Sequence, residues 1–203
     1  MLPKQVRIKF TKVGSLQFIS HLDLNRTMTK VMIRAKIPIY YSEGFNPHPK
    51  MVFALPLSIG AESVCELLDI KIVEDISFDK IIEQLNAALP PEMRVLDAYT
   101  PERKFTDIKF AEYELTTDEV IDETKLQAER IFVMKRTKSG IRESDIKPLI
   151  RSWEIINGGI RCCLSAESSE YLNPEYIASV LDIKNYSIMR RRILLSDGIT
   201  EFK

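Results

Sequence analysis

The order in which two hydrophobic periods follow each other most constrains the fold of this chain. Apolar residues recur at every second position in some segments and with the 3.6-residue period of a helix in others. The resulting order is strand, helix, two strands, helix, strand, over residues 6–14, 20–36, 51–57, 65–73, 77–89 and 93–101. This order is typical of a ferredoxin-like split βαβ unit, in which two helices cover one face of an antiparallel sheet. Alternation in the first strand places Arg7 and Lys9 on its solvent-exposed side, and we expect Lys12, at the end of the strand, to lie there as well.

The second half of the sequence shows a similar order of elements. Residues 108–116 alternate as a strand, the acidic stretch 118–130 is predicted to be helical, and Asn157-Gly158-Gly159 predicts a hairpin turn. Residues 100–107 lack periodicity and mark a boundary. We therefore predict an α+β protein with two ferredoxin-like antiparallel-sheet subdomains in tandem, an N-terminal domain over 1–104 and a C-terminal domain over 105–203.

The formal net charge of zero conceals a segregation of charge along the chain. Residues 1–60 carry six Lys and three Arg against Asp23 and Glu43 alone, a balance of +7. Residues 61–130 carry eight basic and eighteen acidic groups, or −10, and residues 131–203 carry twelve and nine, or +3. A basic first segment suits a polyanion such as RNA. An equal alternative is that the acidic middle pairs with the basic ends inside the fold.

Cysteine usage and hydropathy indicate where such a protein works. Cys65, Cys162 and Cys163 fit neither a disulfide framework nor a CxxC metal site, so we expect them to be reduced and mostly buried. No apolar run approaches the roughly 18 residues that a membrane span needs, and nothing resembles a signal peptide. These features predict a cytoplasmic protein without a membrane partner.

Residues 18–50, here called the 18–50 segment, contain both histidines of the chain. A helix is predicted to begin after Ser20, because Ser20 and Asp23 form a capping box while Ile19 and Leu24 form a hydrophobic staple. Apolar residues recur along one side of this helix, and three cations lie on the opposite side. These cations are Arg26, Lys30 and Arg34. Pro38 predicts that the helix ends by about residue 36.

The 41–50 loop, with sequence YSEGFNPHPK, follows this helix. Gly44 permits a positive φ, and two prolines stiffen the backbone, so the loop presents its side chains with little entropy left to lose on binding. Aromatic and amide groups interleaved with cations suit the recognition of unpaired RNA bases. The alternative is a rigid loop whose aromatic rings close one end of the core. Glu43 is interpreted as a partner of Arg26 or Lys50, or as an acid or base.

The strings SHLDLNR at 20–26, YSEGFNPHPK at 41–50 and PLSIGAES at 56–63 occur together and in this order. Together they resemble the signature of a bacterial family of unknown function, described as linked to radical S-adenosylmethionine (radical SAM) enzymes. Members are similar in being fused to, or encoded beside, a radical SAM enzyme. The resemblance thus implies a radical SAM protein as partner, and it implies no reaction.

The chain lacks the motifs of the chemistry that its implied partner performs. A radical SAM cluster needs three closely spaced cysteines, usually CxxxCxxC, and the three cysteines here do not supply them. Walker A and dinucleotide-binding glycine patterns are absent from the sequence. We therefore expect no cofactor, and we expect that the chain is not itself the radical enzyme.

Three functions are compatible with these features. The preferred one is a non-enzymatic accessory or substrate-recognition module that binds RNA, or RNA-modifying machinery, through the 18–50 segment. The second is a metal-independent RNA-processing enzyme with His21, at the positive end of the helix dipole, or His48 as general base. The third is a scaffold that docks onto the radical SAM protein.

Nine residues are the candidates for binding RNA or another substrate. They are His21, Arg26, Lys30, Tyr41, Glu43, Phe45, Asn46, His48 and Lys50. A metal site built from the two histidines with Glu43 or Asp23 is conceivable but poorly supported by spacing, so no metal is predicted. Arg190, Arg191 and Arg192 form a second basic cluster, which either completes a groove or pairs with the acidic middle of the chain.

Overall fold

The computed structural model of the chain describes residues 2–137, 140–167 and 169–203. The chain divides into two compact units, Met1–Phe105 together with Lys203, and Thr106–Phe202. Each unit combines an antiparallel sheet with few helices, which confirms the predicted α+β class. Across the described residues, no helix has both the length and the apolar character needed to cross a membrane.

The first unit contains four strands and two helices, and each helix lies between two strands in the order of the chain. Its elements are β1 (Lys4–Lys12), α1 (His21–Arg34), β2 (Met51–Phe53), β3 (Ala61–Ile72), α2 (Phe78–Ala88) and β4 (Met93–Tyr99). A 3-10 turn, Gly14–Phe18, precedes α1. The strands lie in the order β4-β1-β3-β2, and each is antiparallel to its neighbours.

One face of this sheet and the apolar sides of both helices form the core of the first unit. Val6, Ile8 and Phe10 of β1 alternate onto the core face, as a strand with period two requires. Helix α1 contributes Leu24, Met28, Val31 and Met32, and helix α2 contributes Ile81 and Leu85. The apolar side predicted for the helix that begins after Ser20 is thus confirmed.

The predicted solvent-exposed side of β1 is wrong for two of its three cations. Arg7 is 1% exposed, and its guanidinium makes a bidentate pair with Asp69 of β3 at 2.7 and 2.9 Å. The ring of Phe105 lies 4.3 Å from Arg7 Cζ. Lys12 is 2% exposed, and its ammonium donates to the carbonyl of Leu16 at 3.0 Å. Alternation identifies two faces of a strand, but it does not reveal that later residues cover the polar one.

The second unit has the same number of strands in its main sheet. Its elements are β5 (Phe110–Thr116), α3 (Thr124–Gln127), β6 (Phe132–Thr137), β7 (Gly140–Asp145), β8 (Ile150–Ile156), β9 (Gly159–Ser165), α4 (Glu175–Val180) and β10 (Ser187–Leu194). The main sheet has the order β10-β5-β9-β8 with antiparallel neighbours. Strands β6 and β7 form a separate two-stranded ribbon.

Two predictions for the second unit have different outcomes. The hairpin at residues 157–159 is confirmed between β8 and β9, and a Cβ on Gly159 would clash with the carbonyl of Leu115. The helix predicted over 118–130 is wrong, since only Thr124–Gln127 is helical. Glu119 accepts hydrogen bonds from the backbone N–H groups of Lys184 and Asn185 instead. Acidic side chains that bind backbone groups elsewhere compete with helix formation.

Candidate functional site

The start of α1 is fixed by the capping box that the sequence predicts. Ser20 Oγ accepts a hydrogen bond from the backbone N–H of Asp23 at 3.1 Å and donates to Asp23 Oδ2 at 2.7 Å. The hydrogen bond from Ser20, helped by the Arg26 guanidinium, lowers the pKa of Asp23. Asp23 is therefore a structural carboxylate whose first role is to hold the amino end of the helix.

His21 occupies the first turn of α1 and is exposed. Its imidazole packs edge-to-face against Phe53 of β2, with ring centroids 5.1 Å apart and an interplanar angle of 82°. Phe53 in turn meets Phe10 of the core, with centroids 6.4 Å apart. His21 thus joins the first turn of α1 to β2 and leaves part of its ring open to solvent.

The three predicted cations of α1 are all exposed, but they have different partners. Arg26 Nη1 lies 3.3 Å from Asp23 Oδ1 on the same helix, in a pair whose two side chains are more than half exposed. Arg34 Nη2 donates to the carbonyl of Ala88 at 2.8 Å. Exposed pairs of this kind contribute about 0–1 kcal/mol, so Arg26 can exchange its partner for an incoming anion at little cost.

The base of the 41–50 loop is tied to the sheet by backbone hydrogen bonds. The N–H of Tyr40 donates to the carbonyl of Lys71 on β3 at 2.7 Å, and the N–H of Lys50 donates to the carbonyl of Tyr40 at 3.0 Å. Tyr41 and Pro49 face each other in an antiparallel bridge. The loop therefore leaves and rejoins the sheet edge at fixed positions.

Ser42 and His48 close the loop above this base. The backbone N–H of Ser42 donates to the carbonyl of His48 at 2.8 Å, and the N–H of His48 donates to Ser42 Oγ at 3.1 Å. His48 Nδ1 lies 2.9 Å from Ser42 Oγ and 3.3 Å from the carbonyl oxygen of Asn46. We refer to these contacts as the Ser42–His48 clasp.

Sequence reasoning missed Ser42, although its position offered a signal. A serine and a histidine bracket the Gly44 to Pro47 turn, and serine hydroxyls commonly bind nearby backbone groups in turns. The clasp leaves His48 Nε2 as the ring nitrogen that has no described hydrogen bond within the loop.

The tip of the loop presents its side chains to solvent. Phe45 has an accessible area of 111% of its reference value, and Tyr41 is 40% exposed. Asn46, His48 and Lys50 are exposed as well. The interpretation of this loop as a cap on the core is therefore wrong for Phe45, whose ring stands entirely outside it.

Glu43 does not have the cationic partners that the sequence suggested for it. Its described contact is with the hydroxyl of Tyr40, at 3.5 Å. Arg26 pairs with Asp23 instead, because i and i+3 positions of one helix lie on the same side. Gly44, with φ of 119°, follows Glu43 and turns the chain in a conformation that other residues rarely adopt.

The second basic cluster is divided between the two faces of β10. Arg190 is fully buried, whereas Arg191 and Arg192 pair with Glu114 and Glu112 of β5 at 2.5 and 2.7 Å. Both glutamates belong to the acidic middle of the chain. The interpretation as internal ion pairs is thus confirmed for Arg191 and Arg192.

The described residues contain no group of three or more His, Cys, Asp or Glu side chains able to hold a metal ion. The three cysteines are free and buried, as the sequence predicted. Burial, with a smaller contribution from the neighbouring Cys163, raises the pKa of Cys162 to about 12. A thiol held in its protonated form is a poor nucleophile and a poor metal ligand.

Comparison with known proteins shows how far the 18–50 segment and its surroundings are shared. A search of the curated proteins found no match to this chain. Residues 5–174, which include the capped helix, the 41–50 loop and both sheets up to α4, match a family described as an uncharacterized protein conserved in bacteria, DUF2344. The match covers well over half of the sequence, and the chain therefore belongs to this bacterial family.

Proposed function

We propose that this protein is a non-enzymatic accessory module that recognises single-stranded RNA and delivers it to a radical SAM enzyme. The observation that carries the proposal is the position of Phe45, a fully exposed aromatic ring at the tip of a tied loop. Every nucleobase has a π-face, so an exposed ring can stack on an unpaired base. An aromatic ring left in water costs free energy in the unbound protein, and a binding partner would recover it.

The construction of the 41–50 loop favours recognition over mere exposure. The Ser42–His48 clasp and the backbone bonds at the base restrict the loop before any ligand arrives. Immobilising a flexible side chain on binding costs about 0.5–1.5 kcal/mol, and a preorganised loop avoids part of this cost. Asn46, exposed beside Phe45, has the amide donor and acceptor needed for the edge of a base.

Exposed cations of the loop and of α1 fit the phosphates of such a ligand. Lys50 lies at the end of the loop, and Arg26 and Lys30 lie on the exposed side of α1. Phosphate contacts hold a nucleic acid in place without reading its sequence. We therefore assign base stacking to Phe45 and Tyr41 and recognition of the base edge to Asn46. The two lysines and Arg26 contact the RNA backbone. The remaining candidates have secondary contacts with the ligand: His21, Glu43 and His48.

The radical SAM partner and the cytoplasmic location are parts of the same proposal. The signature strings at 20–26, 41–50 and 56–63 support the partner, because they resemble those of a family described as linked to radical SAM enzymes. Three free and buried thiols support a reducing compartment. Such a division of labour assigns the radical chemistry to the partner and the binding of substrate to this chain.

We also propose that each unit is a ferredoxin-like split βαβ fold. The order β4-β1-β3-β2 in the first unit supports this assignment, since its strands and two helices follow one another as strand, helix, strand, strand, helix, strand. In the second unit, the order β10-β5-β9-β8 supports it in the same way. There the first helix position is taken by α3 and the β6–β7 ribbon.

Fluorescence anisotropy with a labelled single-stranded oligoribonucleotide tests the proposed function. Phe45→Ala should weaken binding by about 5- to 150-fold, because stacking of one base contributes about 1–3 kcal/mol. Phe132→Ala is the matched control, since Phe132 of β6 is 52% exposed but lies in the second unit. It should leave the affinity unchanged.

Other outcomes distinguish the remaining functions. If wild type binds no RNA, but co-purifies with a radical SAM protein and loses this association in Phe45→Ala, the loop belongs to a scaffold and the RNA proposal is wrong. If the RNA is cleaved, and cleavage is lost in His21→Ala or His48→Gln, the protein is a processing enzyme. Equal RNA affinity of wild type and Phe45→Ala would also contradict the proposal.

A further inference from the structure

An open cavity of about 460 Å³ lies in the first unit where α1 and α2 end. It is lined by Arg34, Ala35, Lys36, Gln84, Ala87 and Ala88. This volume falls within the range of roughly 300–1,000 Å³ that is usual for small-molecule sites. None of its lining residues belongs to the 41–50 loop, so the cavity is a separate feature of the unit.

The wall formed by α2 combines small side chains with an unsatisfied polar atom. Ala87 and Ala88 leave space above the helix, and Gln84 Oε1 is buried without a hydrogen-bond partner in the described part of the chain. A buried amide without a partner costs free energy, and most such groups in proteins are satisfied. Gln84 lines the cavity, so a rotation of its side chain that turns Oε1 toward the cavity would let a ligand hydroxyl or amino group satisfy this atom.

The wall formed by α1 places a lysine in an unusual backbone conformation. Helix α1 ends in a Schellman motif, in which the N–H of Lys36 donates to the carbonyl of Ile33 and that of Ile37 to the carbonyl of Met32, both at 3.1 Å. Lys36 has φ of 52°, a left-handed conformation that glycine usually supplies at this position. A lysine here is less favourable than glycine, yet it adds an ammonium group to the rim of the cavity.

The balance of charge at the cavity favours an anion. Each helix carboxyl end carries about half a negative charge, so the ends of α1 and α2 contribute about −1. Arg34 and Lys36 contribute +2, and no carboxylate is among the lining residues. The net charge of about +1 suits a phosphate group, and Arg34 retains guanidinium donors beyond the one that binds Ala88.

We propose that this cavity binds a phosphate monoester of nucleotide size. Arg34 and Lys36 hold the phosphate, and the Gln84 amide binds a sugar hydroxyl or a base amino group. The phosphate belongs either to a free mononucleotide or to the 5′ end of an RNA strand. The inference adds a second ligand site to the protein and does not depend on stacking by Phe45.

Isothermal titration calorimetry with adenosine 5′-monophosphate (AMP) and with adenosine tests the site. AMP should bind at least tenfold more tightly than adenosine, because adenosine lacks the group that Arg34 and Lys36 hold. Lys36→Gly should weaken AMP binding about tenfold while preserving the fold, since glycine suits a positive φ. Lys80→Ala is the matched control: it removes an exposed lysine of α2 that does not line the cavity.

A second variant tests the location of the site by filling the cavity with a larger side chain. Ala87→Trp fills the cavity from an exposed position of α2 without removing any charge, and it should abolish AMP binding. Equal affinity for AMP and adenosine, absence of AMP binding, or full AMP affinity in both Lys36→Gly and Ala87→Trp would overturn the proposal. Circular dichroism of each variant establishes that a loss of binding is not a loss of fold.

Oligoribonucleotides with a 5′-phosphate or a 5′-hydroxyl distinguish the two sources of the phosphate. Both strands are measured in a Phe45→Ala background. If the phosphorylated strand binds more tightly than AMP, the ligand of the cavity is the 5′ end of an RNA. If it binds no more tightly than AMP, the ligand is a free mononucleotide. AMP affinity should be the same with and without Phe45→Ala. The cavity proposal and the proposed RNA-stacking function therefore fail independently.

Discussion

The two units arrange four strands in the same spatial order but differ in where their exposed arginines and candidate binding cations lie. In the second unit, Arg161, Arg191 and Arg192 lie on strands opposite glutamates, and each is engaged in a cross-strand ion pair. In the first unit, the exposed cations of the candidate site, Arg26, Lys30 and Lys50, lie on α1 and in the 41–50 loop and not on paired strands. We infer that basic residues indicate a binding surface where no neighbouring strand holds a carboxylate opposite them.

The units also differ in the segment that follows their first strand. The first unit has a capped helix of 14 residues and then the 41–50 loop. The second has a helix of four residues and the β6–β7 ribbon. The segment that carries the candidate site is therefore the one in which the two units differ most, whereas the sheets agree.

The largest expected effect concerns the buried ion pair of the first unit. Asp69→Ala should lower the free energy of unfolding by about 3–5 kcal/mol, because it leaves the Arg7 guanidinium buried without its carboxylate. Urea denaturation followed by circular dichroism measures the change. Arg7→Met combined with Asp69→Leu is the control and should recover most of the loss, since apolar side chains have no charge to satisfy. A loss below 1 kcal/mol for Asp69→Ala would contradict this account.

The next effect concerns binding and tests the contrast in charge directly. Arg26→Ala with Lys50→Ala should weaken RNA binding about tenfold at low salt and reduce the slope of log K against log[salt] by about 1.4, since each phosphate contact contributes about 0.7 for single strands. Anisotropy titrations at several salt concentrations measure both quantities.

Arg192→Ala supplies the control from the second unit. Arg192 is occupied by Glu112, so its removal should leave the slope unchanged. An equal decrease of the slope in Arg192→Ala would place the RNA on the second unit and break the comparison.

A smaller effect is expected from the ion pairs of the second unit, and it depends on pH. Burial raises the pKa of Glu114, but hydrogen bonds from Arg161 and Arg191 outweigh burial and lower it below the usual 4.5. A lowered carboxyl pKa stabilises the fold above the unfolded value, and this stabilisation is lost as the pH falls through the folded value. Glu114→Gln should therefore cost about 1 kcal/mol at neutral pH and nothing once the wild-type carboxyl is protonated.

Thermal unfolding of wild type and Glu114→Gln is measured between about pH 3 and pH 7, a range that includes the usual pKa of a carboxyl group. The difference in stability between the two proteins should disappear toward the acidic end. Glu154→Gln is the matched control, because Glu154 is largely exposed and its described ion pair is with Arg161. A pH-independent difference between wild type and Glu114→Gln would show that packing and not charge is responsible.

The smallest effect compares two helix ends. Helix α4 ends in the same Schellman motif as α1, with Asp182 at φ of 59° in place of Lys36 at 52°. Lys36→Gly should stabilise the protein by about 0.5–1 kcal/mol, since glycine adopts this conformation without strain. Asp182→Gly should gain less, because it also removes the pair with Lys125 at 2.6 Å. Differential scanning calorimetry compares the two, and an equal gain would show that the Lys125 pair contributes nothing.

Local signals predicted much of the fold. The capping box at Ser20 and Asp23 and the hairpin at 157–159 are confirmed, because the residues that define them are neighbours in sequence. A prediction that rested on composition, without a cap or turn to support it, was wrong. The acidic stretch 118–130 looked helical, yet Glu119 binds backbone groups about 65 residues away.

For the candidate site, the sequence identified which residues are unusual but not how they are held. The chemistry of Phe45, Asn46 and Lys50 was visible in the 41–50 loop, and the structure places all three in solvent. The Ser42–His48 clasp was missed, since a serine hydroxyl gives no periodic signal. The cavity at Arg34, Lys36 and Gln84 was also missed, because its walls come from helices about 50 residues apart in sequence.

By itself, the sequence determined the order of strands and helices in the first unit, the start of α1 and the composition of the 41–50 loop. These follow from interactions between residues a few positions apart, such as caps, turns and alternation. Only the tertiary structure decided that Arg7 and Lys12 are buried, that Arg191 and Arg192 are neutralised, and that Phe45 is exposed. Burial and charge pairing depend on which distant segments are in contact in the fold. The periodicity of the sequence does not show these contacts.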